Sequence, residues 1–83
     1  MDDERRRELL EIRGRAREAA EALEARAAEV LELTKRIEDL TDGTPGWYPG
    51  MRARVEAAEA LRQVRVLVRT LEGLDEDAER RTA

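Results

Sequence analysis

Four glutamates in two pairs, Glu29 with Glu32 and Glu56 with Glu59, come nearest to chemistry in this chain. Two carboxylates three residues apart share a helix face, and two such pairs on neighbouring helices offer the hard oxygen ligands that suit Mg2+. The spacing is common here, however. Glu18/Glu21 and Glu21/Glu24 repeat it, in a chain with 20 acidic residues. Solvated helix faces account for the pairs without a metal. A carboxylate di-iron centre needs Glu-x-x-His, and the chain has no His. Ser and Cys are missing too, which leaves Thr34, Thr41, Thr44, Thr70, Thr82, Lys35 and Tyr48 as nucleophiles, none beside an evident base. No glycine loop carries the Gly-Lys-Ser/Thr of a phosphate-binding loop. The expectation is a non-enzymatic protein with no catalytic, cofactor-binding or metal residues and no cofactor.

The arginines invite a second chemistry. Arg6, Arg13 and Arg17 fall on one stripe, and Arg52, Arg54, Arg62, Arg65 and Arg69 make the second half basic. Phosphate backbones are met by such stripes. Yet Glu24 sits on the first stripe, and the chain carries 16 basic against 20 acidic residues, a net −4. That balance argues against nucleic acid. Trp47 and Tyr48 are the two aromatics, in the segment DGTPGWYPG from Asp42 to Gly50. Exposed on a rigid turn they would anchor a partner. Alternatively, Trp47 folds back as a plug near Leu40 and Met51.

Two families share parts of this layout. The glutamate pairs resemble the paired Glu-x-x-Glu and Glu-x-x-Asp motifs of the all-α nucleotide pyrophosphohydrolases, with Glu59 where that pattern has Asp. This resemblance implies Mg2+-dependent nucleotide hydrolysis by Glu29, Glu32, Glu56 and Glu59. Two helices joined by a turn with a Trp also resemble the Trp-x-Gly family of small secreted helical hairpins, which implies a secreted dimer or chaperone-like partner. Here the turn reads Trp47-Tyr48-Pro49-Gly50, with Gly one place late. The Tyr-x-x-x-Asp/Glu tail of that family is absent, because Tyr48 is the only Tyr.

The elements that would position all these residues are long helices. Taken at alternating steps of three and four, the chain gives Leu9, Ile12, Ala16, Ala19, Leu23, Arg26, Val30, Leu33, Ile37 and Leu40. Arg26 alone breaks the apolar row. A 3.5-residue period is the seam of one helix packed lengthwise on another. Helix formers dominate a composition that is 43% charged and 41% hydrophobic, and the periodic row argues against disorder. The spacing predicts a helix over 3–41, a loop over 42–49 and a second helix over 49–72. Asp2 and Asp3 suit the first helix start, Gly43 its C-terminal cap, and Pro49 the first turn of the second. Gly73 is expected to end or bend that helix, with Asp75 capping a short frayed piece within 74–83. A second stripe, Ala20, Ala22, Ala27 and Ala28, would let another backbone come close.

With no Cys there is no disulfide framework. No apolar run exceeds three residues, Val66-Leu67-Val68, so neither a transmembrane span nor a signal-peptide core is expected, and the cytoplasm is the default location. Ser, Asn, His, Phe and Cys are all missing, and one Lys stands against fifteen Arg. That bias fits a high-GC or thermophilic genome, or a de novo designed scaffold.

Folding the chain about residue 46 brings together residues whose numbers add to about 91. Leu40 then meets Met51, Leu33 meets Ala58, Val30 meets Leu61, and Leu23 meets Val68. Ala57, Leu61, Val64, Val68 and Leu71 form the second helix's seam, flanked by Ala53, Ala60, Leu67 and Leu74. Leu9 and Ile12 would face only Glu79, Arg80, Arg81 and Thr82. The fold expected is therefore all-α: one antiparallel helical hairpin whose uncovered N-terminal end drives a homodimeric four-helix bundle, or receives a helix of a partner protein. The interface residues expected are Leu9, Leu10, Ile12, Ala16, Ala19, Trp47, Tyr48, Val55 and Val66. Neither nucleic acid nor membrane is an expected partner.

Overall fold

The computed structural model describes the backbone of residues 2–82 and the side-chain surroundings of residues 2–74. Among the described residues there are two helices and no strand: α1 (Asp3–Leu40) and α2 (Trp47–Thr82). They lie antiparallel in a rod with extents of 62 × 18 × 13 Å. Asp2 caps α1, its carboxylate accepting from the Arg5 N–H at 2.7 Å, and Asp3 and Glu4 complement the helix dipole in the first turn.

The connection is tighter than the composition of 42–49 suggests. Thr41 closes α1, its N–H donating to the Ile37 carbonyl at 3.0 Å and its hydroxyl to the same carbonyl at 2.8 Å. Gly43 supplies the one positive φ among the described residues, +76°, two positions past Thr41. Thr44 then holds the turn: its hydroxyl accepts from the Gly46 N–H at 3.2 Å, and its carbonyl from the Trp47 N–H at 3.1 Å. Trp47 and Tyr48 therefore open α2 rather than sit in the loop. Pro49 permits this, because a proline in the first turn removes only an N–H that has no intrahelical partner. Gly50 is buried, and a Cβ there would meet the Thr41 hydroxyl at 3.2 Å, so a side chain at this position would push the two helices apart.

At the other end α2 runs on to Thr82, without the expected break at Gly73 and cap at Asp75. One glycine costs a helix about 1 kcal/mol, too little to end a long one flanked by good helix formers. The second helix is thus longer than the expected 49–72. The side chains expected opposite Leu9 and Ile12, from Glu79 to Thr82, lie outside the described residues.

The register is close to that expected. Glu38 pairs with Arg54, Thr41 approaches Gly50, and Glu24 lines one groove with Val68. The rotation of α1 about its axis is not. The side chains α1 withdraws from solvent include Arg17, Ala20, Glu24, Ala27, Leu31, Thr34, Glu38 and Thr41, a 3-4 row one residue after the leucine row. Ala20 is buried, and Ala27 and Ala28 are half-buried, whereas Ala22 of the same expected stripe is exposed. Across from them α2 buries Ala57, Leu61 and Val68 and half-buries Val64 and Leu71, the seam expected for it. Small residues on α1 let the two backbones approach closely, and Leu61 and Val68 fill the space between.

Gly14 and Gly73 have no heavy atom near the position of an added Cβ. Gly14→Ala and Gly73→Ala should each stabilise the fold by about 1 kcal/mol. Gly43→Ala should destabilise it by about 1–2 kcal/mol, because its left-handed backbone disfavours a side chain. Urea unfolding followed by circular dichroism separates the two signs.

Candidate functional site

The four glutamates do not assemble. Each is an exposed residue paired with a base on its own helix: Glu29 with Arg26 at 3.0 Å, Glu32 with Lys35 at 3.1 Å, Glu56 with Arg52 at 3.5 Å, and Glu59 with Arg62 at 2.6 Å. Counted at about 100° per residue, all four point away from the neighbouring helix. Among the described residues no group of three acidic side chains could hold a metal ion. The Glu59–Arg62 pair has the most hydrogen bonds of these contacts. The guanidinium donates twice, from Nη2 to Oε1 at 2.6 Å and from Nε to Oε2 at 3.0 Å, and Gln63 adds a third bond at 3.1 Å. The Arg62 and then the Gln63 hydrogen bonds pull the Glu59 carboxyl from 4.5 down to about 2. Fully exposed pairs of this kind tie a helix face together but contribute little stability.

Basic residues are similarly engaged. Arg54 reaches across to Glu38, and Arg13 donates to the Leu74 carbonyl, so these two arginines staple the hairpin near its two ends. Glu24, Arg65, Arg69 and Glu72 line a shallow groove of about 280 Å3 beside Val68, where two acids offset two bases. That polar groove marks one side of the hairpin.

The opposite side is apolar. The row Leu9, Ile12, Leu23, Val30, Leu33, Ile37 and Leu40 stays between 41% and 73% exposed. It is turned about 50–100° from the direction of α2, to one side. On α2, Ala53, Ala60, Leu67 and Leu74 recur every seventh residue and are turned about 100° from the direction of α1. Because the helices are right-handed and antiparallel, both rows fall on the same side of the hairpin. Leu67 is 44% and Leu74 47% exposed. The result is one face, two helices wide, that the chain does not cover itself.

Of the expected interface residues, Leu9, Ile12, Ala16 and Ala19 belong to this face. Leu10, Trp47, Tyr48, Val55 and Val66 do not: their helical positions turn them to the polar side or the back. Trp47 is 39% exposed and leaves Leu40 73% exposed, while Met51 is half-buried. The reading from sequence missed Leu23, Val30, Leu33, Ile37 and Leu40 as surface residues, having assigned them to the seam between α1 and α2. Their signal was present as the 3-4 row itself; what misled was the choice of which helix that row meets.

The Glu59 contact is testable by titration. Its folded pKa is depressed, so the contact's contribution is complete above about 4.5 and is lost as pH falls through about 2. In carboxyl NMR, Glu59 should titrate well below the ordinary 4.5, and Arg62→Ala should return it toward that value. A Glu59 midpoint unaffected by that substitution would refute the pairing.

No protein-family model, no curated protein and no solved structure matches this chain.

Proposed function

We propose that this chain is a non-enzymatic helical-bundle module whose function is self-association, two hairpins closing their apolar faces into a four-helix bundle. The uncovered face carries this reading. The hairpin buries two large aliphatic side chains, Leu61 and Val68, each contributing about 1.5–3 kcal/mol. It leaves a larger set of Leu, Ile and Val in water. A chain of this size gains little from one small core and commonly acquires stability by oligomerising. A second copy offers the same face, and a two-fold interface is self-complementary by construction.

The dimensions fit. The face from Leu9 to Leu40 is about 47 Å long at 1.5 Å per residue and 18 Å wide, roughly 850 Å2, so two of them closing together remove about 1,700 Å2 from water, within the range of stable interfaces. Apolar patches beyond a few hundred Å2 on a monomer mark interaction sites. No helix among the described residues is long and apolar enough to cross a membrane. The glutamate ion pairs give no support to the hydrolase alternative, because the carboxylates it needs face apart. The Trp-x-Gly alternative loses its turn, because Trp47 stands inside α2.

Sedimentation equilibrium at micromolar concentration should report the mass of two 9.5 kDa chains. Leu33→Glu, on the face, should weaken association at least tenfold and lower helicity. Val55→Glu, on the back and similarly exposed, should leave the mass unchanged. A folded monomer, or equal effects from both substitutions, would contradict the proposal.

A further inference from the structure

Self-association through this face still leaves two arrangements related by a two-fold axis. In one, the axis crosses the helices, the loops lie at opposite ends, and α1 packs on α1 of the second copy. In the other, the axis runs along the bundle, both loops lie at the same end, and α1 of each copy packs on α2 of the other. We infer that the second arrangement is the one this chain encodes; the inference rests on the self-association proposed above.

Side-chain size supports it. With the loops together, residues of the two copies meet at the same level as residues within one hairpin. The outward rows then pair Leu40 with the second copy's Ala53, Leu33 with its Ala60, and Ala19 with its Leu74. Large meets small at each of these levels, which is how facing layers interdigitate without voids or overlap. The remaining level sets Arg26 over the second copy's Leu67. Arg26 is suited to that place, because its head is held in solvent by Glu29 at 3.0 Å while its stem is free to cover a leucine. With the loops at opposite ends, the two Arg26 side chains instead crowd the two-fold axis, within about two turns of each other, and like charges come together.

Charge supports it as well. Residues 27–42 carry five acidic and two basic side chains, a balance of −3. Residues 43–65 carry four basic and two acidic, a balance of +2. With the loops at one end, each acidic half of α1 lies between two basic halves of α2, its own and the second copy's. Charges then alternate around the loop end of the bundle. The opposite arrangement sets α1 beside α1, and each acidic half then meets residues 3–26 of the second copy, whose seven acidic and seven basic side chains balance, in place of a basic half of α2. The preference is screened by salt but acts on every pair at once.

The chain has no cysteine, so single spin labels are readily placed. Asp42→Cys and, separately, Arg7→Cys put a label near each end of α1, off the apolar face. Double electron–electron resonance on each labelled protein, with helicity checked by circular dichroism, measures the distance between copies. Loops at one end predict separations below about 30 Å at both sites, the width of a bundle plus the labels. Separations of about 50 Å or more at both sites, set by 1.5 Å per residue along α1, would overturn the arrangement and leave self-association standing. No dipolar coupling between copies at concentrations where the wild-type chain is tested for dimers would overturn self-association itself.

Discussion

The approach of α1 to α2 over alanine governs this structure. Ala20 and Ala27 on α1, with Gly50 at the loop end of α2, bring the two backbones close, and Leu61 and Val68 occupy what space is left. The aliphatic row one residue earlier on α1 is rolled outward, where it joins the Ala53–Leu74 row of α2 in a single face. The loop reinforces this rotation: Thr41 and Thr44 close the turn within a few residues, and Arg54 to Glu38 and Arg13 to Leu74 pin the hairpin near its two ends. Burial of the leucines is thereby transferred from the hairpin to whatever meets the face.

Much of this was legible in the residues. The period of the row, the turn marked by Gly43, the register of the hairpin and the seam of α2 all follow from spacing and turn chemistry. The rotation of α1 did not. Two adjacent rows share the same 3-4 alternation, one mostly aliphatic and one mixing two alanines with polar residues, and a periodicity of 3.5 does not say which of them meets which neighbour. The more hydrophobic row was matched to the nearest helix in sequence. The small residues claim that helix instead, because closeness of backbones outweighs side-chain volume in a tight hairpin, and the large side chains suit a more open interface.

Two misreadings at the ends have local causes. Pro49 was read as the start of α2, yet a proline is accepted anywhere in the first turn, and Trp47 and Tyr48 precede it in helical conformation. Gly73 was read as a stop, though isolated glycine is a modest penalty rather than a terminator. The charged residues show a third kind of ambiguity. Glu-x-x-Glu spacing is shared by metal sites and by helix faces, and what separates them is direction. Each of the four glutamates faces outward to a base on its own helix.

We propose that folding and association are one process, the large aliphatic side chains finding cover between chains. Thermal unfolding at protein concentrations spanning about three decades is the direct test. The midpoint should climb steadily with concentration, as mass action requires when the folded species contains more chains than the unfolded one. A midpoint that stays fixed across that range would mean the hairpin folds alone with its leucines in water, and the central claim would fail.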